Sequence, residues 1–110
     1  MDRKELINSK IESVMQRQVP VTHKETRRGG IFFTNKDDHV ASELTYIKKD
    51  NVLTIDHTET KVGMEGKGLA SYLVEKVVEF ARNQGYKINP LCPFAEVQFD
   101  RNPGYRDVLA

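Results

Sequence analysis

A glycine-rich segment in the middle of the chain has the residue types of an anion-binding turn. It runs from Gly63 to Ala70 with the sequence GMEGKGLA, and its three glycines fall within six positions. Glycines allow a tight turn and let backbone amides approach a ligand without a Cβ in the way. The helical pattern that follows would direct free N–H groups and a positive dipole end at the same place. The segment therefore predicts a site for phosphate or another anion.

Two common glycine motifs do not match this segment. A Walker A loop needs a serine or threonine after its Gly-Lys pair, and here Gly66-Lys67 is followed by Gly68. A dinucleotide fingerprint needs a third glycine where this chain has Ser71, and it follows the first strand of a parallel unit. Neither motif is predicted. The remaining alternatives are another kind of phosphate site, or a tight loop without a ligand in which Lys67 is a solvated charge.

The residues that precede the glycine-rich segment have the pattern of strands, which would position it. Alternating runs bounded by turn residues predict up to four sequential strands, and the short turns between them predict antiparallel pairing. Arg28-Gly29-Gly30 has turn chemistry. The predicted strands are Val19 to Glu25, Ile31 to Thr34, His39 to Lys48, and Val52 to Thr58.

The residues that follow the glycine-rich segment have the apolar spacing of a helix. Apolar residues recur three and four positions apart from Lys67 to Gln84, and Gly85 suits a left-handed cap at the helix end. Tyr86 to Leu91 predicts a strand parallel to the one before the turn, because a strand–helix–strand crossover returns in the same direction. Pro93 to Asp100 predicts a second helix, and Tyr105 to Ala110 a tail that adds an edge strand.

These elements combine into an α+β fold. An antiparallel meander, a long helix on its face and one parallel strand place the glycine-rich segment at the ends of two neighbouring strands. Residues 3 to 18 carry apolar side chains at helical spacing and predict a further amphipathic helix that ends before Pro20. A chain of 110 residues fits a single domain, with residues 1–19 as an N-terminal extension.

Composition argues against several classes of function. The 17 basic and 16 acidic side chains nearly balance, which gives no electrostatic footprint for nucleic acid or an anionic membrane. No apolar run reaches the roughly 20 residues of a membrane span, and the N-terminus lacks a signal-peptide core. One cysteine and three scattered histidines do not form a metal site. We expect a cytoplasmic protein in which Cys92 is a free thiol.

At this point the residues resemble a known family. The run Gly66 to Ala70 before a long amphipathic helix is similar to the pyrophosphate-binding segment of GNAT-type N-acetyltransferases, in which backbone amides grip coenzyme A. The likeness spans about residues 21 to 109 and points to a short subgroup of predicted acetyltransferases. Three further pieces carry it: Ile55-Asp56-His57-Thr58-Glu59, Pro90-Leu91-Cys92-Pro93-Phe94-Ala95 and Asn102-Pro103-Gly104-Tyr105.

The resemblance implies a site for acetyl-CoA or coenzyme A in a GNAT-like fold. Gly63 stands where the family has glutamine or arginine, so backbone amides are left to hold the phosphates. Cys92 stands where the family usually has an asparagine. The chain is also too short for the two helices that usually shape an acceptor site, which implies reduced acceptor-side helices. The implied cofactor-binding residues are Thr58, Val62, Gly63, Met64, Gly66, Lys67, Gly68, Leu69, Ala70 and Cys92.

Acetyl transfer to an amine requires a proton acceptor, a donor to the thioester carbonyl and a proton for the leaving thiolate. Backbone amides of Leu53 to His57 are candidates for the carbonyl donor. Strand alternation puts His57 and Glu59 on one face. Because an imidazole titrates near neutral pH, His57 is the first candidate base and Glu59 the second. The alternative for His57 is a structural histidine hydrogen-bonded near a strand end.

Two further side chains are catalytic candidates. Cys92 precedes a helix N-terminus, which in general favours a thiolate. It is a candidate acyl-accepting nucleophile, proton relay, mixed-disulfide partner or cofactor contact, and a small buried apolar group is the alternative. Tyr105 lies where a tyrosine of GNAT proteins often protonates the leaving thiolate, and packing explains it equally well.

We therefore expect a coenzyme A-binding N-acetyltransferase. Its acceptor would be an amine on a protein lysine, an N-terminus, a peptide or a small molecule. The alternative from another class is a module that binds acetyl-CoA or coenzyme A without turnover. The predicted N-terminal helix would cover the acceptor side or form a homodimer contact.

Overall fold

The structure of the protein is a computed structural model, which describes residues 19–110. Within this range one mixed sheet has the strand order β1-β2-β3-β4-β5. Strands β1 (Thr22–Glu25), β2 (Gly29–Lys36), β3 (His39–Lys49) and β4 (Val52–Thr60) pair antiparallel, and β5 (Lys87–Pro90) pairs parallel to β4. The helices are α1 (Leu69–Gln84), α2 (Pro93–Arg101) and a 3₁₀ helix (Pro103–Val108). The predicted α+β meander with a crossover is confirmed. The predicted helix at residues 3 to 18 lies outside the described residues.

The start of β2 differs from the sequence prediction. Gly29 and Gly30, predicted as turn residues, are the first residues of the strand. A Cβ at Gly29 would lie 2.0 Å from the carbonyl oxygen of Tyr46 on β3. The glycine is therefore needed for the close approach of two strands rather than for a turn.

Helix α1 begins two residues later than predicted. Gly68 has a φ of 74°, which is left-handed backbone and cannot continue into a right-handed helix, so Leu69 is the first helical residue. Gly85 has a φ of 75° and donates its N–H to the Ala81 carbonyl, which confirms the predicted left-handed cap. The helix buries Leu69, Tyr72, Leu73, Val74, Val77, Val78 and Ala81.

The C-terminal tail is not the predicted edge strand. Residues Pro103–Val108 form a 3₁₀ helix, and only an isolated bridge joins Leu109 to Ile88. The Arg82 guanidinium of α1 donates to both carboxylate oxygens of Asp107, at 2.8 and 2.9 Å, and to the Gly104 carbonyl at 2.7 Å. These bonds hold the tail against α1, and its pairing with β5 is an isolated bridge.

A bulge in β4 decides which side chains face the core. The β3–β4 register steps from Thr45↔His57 to Tyr46↔Ile55, so Asp56 has no partner across the pair. Before the bulge, Ile55 is buried in the core beneath α1. One extra residue reverses the alternation. After it, Thr58 faces the helix side of the sheet, and His57 faces the opposite side.

The core lies between one face of the sheet and α1. Leu44, Leu53 and Ile55 pack there against Leu73, Val74 and Val77 with no solvent exposure. The opposite face is partly open, because Ile47 in the middle of the meander is 51% exposed. In the described residues, no helix combines the length and the apolar character needed to cross a membrane.

Candidate functional site

The glycine-rich segment and the end of β4 surround a cavity of about 430 Å³. It opens at the N-terminus of α1, where the chain leaves the sheet. Of the residues predicted to bind a cofactor, those that line it are Thr58, Met64, Gly66, Gly68, Leu69 and Ala70. Because the strand, the turn and the helix follow one another, most of the residues predicted to bind a cofactor line the same cavity.

The helix end that faces this cavity has unused amide groups. The N-cap residue Gly68 makes no side-chain capping bond, and the first turn contains no acidic residue. The first intrahelical bond runs from the Tyr72 N–H to the Gly68 carbonyl at 3.0 Å. The amides of residues 69 to 71 therefore lack an acceptor within the helix. With the helix dipole, they favour an anion at this end.

The loop leaves open space in front of its backbone. Gly63 and Gly66 have φ values of 90° and 78°, and no described atom lies within 4 Å of where their Cβ atoms would be. The Gly63 N–H donates to the Glu65 carboxylate at 2.7 Å. A phosphate that entered the loop would compete with Glu65 for that amide. The loop therefore suits an anion that backbone amides, rather than cationic side chains, would hold.

Other predicted cofactor residues lie outside the cavity lining. Val62 and Gly63 line a neighbouring cavity of about 260 Å³, and Val62 is 89% exposed. Lys67 is exposed. Cys92 is buried beside the cavity wall, with its sulfur 4.0 Å from the Thr58 hydroxyl oxygen. Their contact with a cofactor stays a prediction.

Cys92 lies where β4 and β5 separate. The last β4–β5 pair is Ile55↔Pro90, and the Cys92 N–H then donates to the Ile55 carbonyl at 3.0 Å. Its sulfur caps α2 by accepting the Ala95 N–H at 3.4 Å. Beyond this point β4 pairs with β3 alone. The thiol is thus buried at the base of the gap between two diverging strands.

His57 and Glu59 lie on the same face, as the sequence predicted, and the fold adds a third residue. His57 Nε2 lies 3.4 Å from Glu59 Oε2 and 3.9 Å from Glu43 Oε1. Glu43 and Glu59 are directly opposite each other on β3 and β4. One ligand-type atom from each of the three side chains falls within 4.8 Å of the others. Glu43 was not a sequence candidate, because the bulge hides the register that pairs it with Glu59.

Tyr105 lies away from the cavity lining. Its ring packs edge-to-face on Phe99 at 5.4 Å between centroids. Burial, with a smaller contribution from Glu75, raises the pKa of Tyr105 above its ordinary value. The structure therefore gives this tyrosine a packing partner and does not bring it to the cavity with Thr58 and Cys92.

Sequence reasoning missed hydroxyl groups that shape the cavity wall. Thr60 lines the cavity, and its hydroxyl lies 3.0 Å from the hydroxyl of buried Ser42. Ser42 also donates to the Glu59 carbonyl at 3.2 Å. The two-residue spacing of Thr58 and Thr60 was a visible signal. Glu65, Ser71 and Phe94 complete the missed lining residues, and Phe94 comes there from α2 through tertiary packing.

Comparison with known proteins is consistent with this geometry. A family model described as GCN5-related N-acetyl-transferase matches residues 31–108. No curated protein matches the chain. Among solved structures, the chain is similar to a GCN5-like protein from Staphylococcus aureus, with 30% identity and a TM-score of 0.60. That match covers 81% of this chain and 87% of the other.

Two more distant structures share the fold. One is an acetyltransferase from Bacillus subtilis in complex with CoA, at 15% identity and a TM-score of 0.59, covering 79% of this chain and 76% of that one. The other is an IAA acetyltransferase from Bacillus cereus, at 12% identity and a TM-score of 0.59, covering 76% and 75%. At such identities the likeness is one of fold alone.

Proposed function

The chain belongs to the GCN5-related N-acetyltransferase family, and on that premise we propose that it binds acetyl-CoA and transfers the acetyl group to an amine. The observation that carries the proposal is the open glycine loop before the uncapped N-terminus of α1. Backbone amides at such a place suit a pyrophosphate. The CoA complex of the Bacillus subtilis neighbour supports the same class of ligand. Acetyl-CoA would supply the activated acyl group as a thioester.

The end of β4 is the proposed source of a carbonyl donor. Because β5 stops at Pro90, alternate β4 amides beyond Ile55 point away from β3 into the gap. A fixed amide in a partly buried gap stabilises developing negative charge on an oxygen. We assign Cys92 to contact with the cofactor rather than to covalent catalysis, because its sulfur is buried and already accepts the Ala95 N–H.

His57 is the proposed proton acceptor. Its side chain is 50% exposed and its Nε2 faces Glu59 at 3.4 Å, so it has access to solvent and to a neighbouring carboxylate. Glu59 lines the cavity as well, which puts this pair at the rim between the two faces of the sheet. A cytoplasmic location is part of the proposal, since the single Cys92 thiol suits a reducing compartment.

The alternative function is a non-catalytic module that binds acetyl-CoA or CoA. One observation favours it: Tyr105 packs on Phe99, away from the cavity lining, so the expected proton donor for a leaving thiolate is absent from there. Release of free thiol from acetyl-CoA separates the two functions. Turnover with a peptide or polyamine that is lost in His57→Ala, with binding retained, supports the enzyme. Binding without any release supports the module.

The glycine loop provides the direct test of cofactor binding. Valine at Gly66 or Gly68 would require left-handed backbone that costs roughly 1–2 kcal/mol, and its branched Cβ would fill the space before the amides. We expect Gly66→Val and Gly68→Val to weaken acetyl-CoA binding at least about tenfold in calorimetry. Gly104→Val, at a glycine with open space and no left-handed φ, is the control and should bind normally. Undiminished affinity in a folded loop variant would refute the phosphate role.

A further inference from the structure

A second cavity, a groove of about 360 Å³, lies between α1 and the first two strands of the sheet. Its walls are mainly aromatic. The ring of His23 stacks on Phe32 at 3.8 Å between centroids, and Phe80 of α1 lies edge-on to His23 at 4.6 Å. Val21 and Phe80 line the groove and are only partly buried against the core. The groove therefore offers apolar surface that the described residues cover only in part.

The rim of this groove carries charges that are paired with each other. The Lys76 ammonium lies 3.1 Å from the Glu79 carboxylate and 5.2 Å from the centroid of the Tyr72 ring. Because the two charges balance, the rim favours neither an anion nor a cation. An apolar floor with a balanced polar rim is typical of a surface that packs against another apolar surface.

The chain enters the described part of the structure at this groove. Val21, the residue before β1, lines the groove, and Val19 and Pro20 are the described residues that precede it. Consecutive Cα atoms are about 3.8 Å apart, so residue 18 lies within about 12 Å of Val21. Residues 1–18 therefore reach the groove without a linker, which gives them a high effective concentration there.

The N-terminal residues match the groove in length and in character. As a helix, the predicted stripe from Ile7 to Gln18 would extend about 17 Å, and the groove follows α1 from Tyr72 to Asn83 over the same number of residues. A helix this short is marginal in water unless its apolar side packs against the fold. The apolar members of the stripe are Ile7, Ile11, Val14 and Met15.

We propose that residues 3 to 18 pack as an amphipathic helix in this groove of their own chain, with their apolar stripe against the rings of His23 and Phe80. Pro20 disfavours helical backbone at the residue before it, so the helix would end before β1 begins. The groove is on the α1 side of the sheet. The segment would therefore extend the core beside β1 and leave the face that carries His57 uncovered.

Nuclear Overhauser contacts in the full-length protein test this packing. In the wild type we expect contacts between the methyl groups of Ile11 and Val14 and the ring protons of Tyr72 and Phe80. The double variant Ile11→Glu and Val14→Glu would put two charges against aromatic rings. It should lose these contacts, and amide hydrogen exchange at residues 7–18 should become at least about tenfold faster. The sheet should stay folded, because neither position belongs to the described core.

The matched control is Ser9→Glu, which adds a charge on the opposite side of the same predicted helix and should keep the contacts. Equal exchange rates in the wild type and the double variant would overturn the proposal. Contacts to Ile47, on the face without α1, in place of Phe80 would overturn it as well. In an equal mixture of labelled and unlabelled protein, contacts found only between different molecules would assign the groove to a second copy and refute packing within one chain.

Discussion

At the scale of single residues, His23 is a half-buried aromatic partner rather than a free base. Its ring stacks on Phe32 at 3.8 Å, lies edge-on to Phe80 at 4.6 Å, and places Nε2 2.7 Å from the Tyr46 hydroxyl. Burial lowers the pKa of His23, and Glu25 opposes this in part. Burial, with smaller contributions from Glu25 and Tyr86, raises the pKa of Tyr46 to about 12, so the hydroxyl stays protonated.

This contact makes stability depend on pH. The pKa of His23 is lower in the folded state than its ordinary value of 6.5, so the unfolded chain binds the proton more tightly. The stabilisation is fully present above the ordinary pKa of 6.5 and is lost as the pH falls below it, through the lower pKa of the folded state. The slope should stay below the limit of about 1.4 kcal/mol per pH unit for one proton, because the ring is only partly buried. Urea unfolding from pH 7.5 to 5 measures it.

The comparison for that prediction is His23→Gln, which keeps a polar side chain at the edge strand and cannot titrate. Its free energy of unfolding should vary less with pH than that of the wild type over the same range. Parallel curves for the two proteins would show that the His23–Tyr46 contact does not produce the pH dependence.

At the scale of secondary-structure elements, the join between β5 and α2 depends on Cys92. Its N–H bonds to β4, its sulfur accepts the Ala95 N–H, and Pro93 suits the first helical position. Cys92 therefore contacts both β4 and the first turn of α2, next to the wall of the cavity. The position of a cysteine in the gap has a structural reason that does not require covalent chemistry.

Substitution of Cys92 distinguishes a cap from a nucleophile. Cys92→Ala removes the capping atom and should lower the free energy of unfolding by about 1 kcal/mol. Cys92→Ser restores a capping oxygen and should stay within about 0.5 kcal/mol of the wild type, while turnover falls by less than about threefold. Chemical denaturation and thiol release measure these quantities. Abolished turnover in a stable Cys92→Ser variant would instead support a covalent role.

At the scale of the whole molecule, the two faces of the sheet differ in character. The face under α1 holds the apolar core and the cavity at the glycine-rich segment, and the opposite face carries His57 with Glu43 and Glu59. The glycine loop and the start of α1 are joined to that core. Ligand binding in the loop should therefore stabilise the folded domain as a whole.

Thermal unfolding with added acetyl-CoA checks this link. A ligand at about a hundred times its Kd that binds only the folded state adds about 2.7 kcal/mol. For a domain of this size the corresponding rise in Tm is on the order of 10 °C. Gly68→Val should show little of this shift. A wild-type Tm that does not change at millimolar acetyl-CoA would contradict cofactor binding in the folded domain.

Sequence alone determined the features that depend on local chemistry. Turn residues and alternation defined the meander, helical spacing defined α1, and the glycines with their following helix marked the anion cradle. Gly85 as the end of α1 and Pro93 as the start of α2 followed from backbone restrictions that act within a few residues. These local constraints were enough to indicate the fold and the place of the cavity at the glycine-rich segment.

Tertiary structure decided what depends on register and close approach. The bulge at Asp56 changes which face each β4 side chain takes, and no local pattern reveals it. It puts Thr58 beside Cys92 and His57 beside Glu43, two contacts between distant positions of the chain. The close approach of β2 to β3 likewise gave Gly29 its role. The Arg82–Asp107 contact holds the tail, a 3₁₀ helix, against α1, and the tail meets β5 at the Leu109–Ile88 bridge. The anion-binding loop can be predicted from local sequence, because it depends on the backbone freedom of its glycines and on the N-terminus of the helix that follows. The side chains around it are placed by strand pairing and packing, because these contacts join residues far apart in sequence.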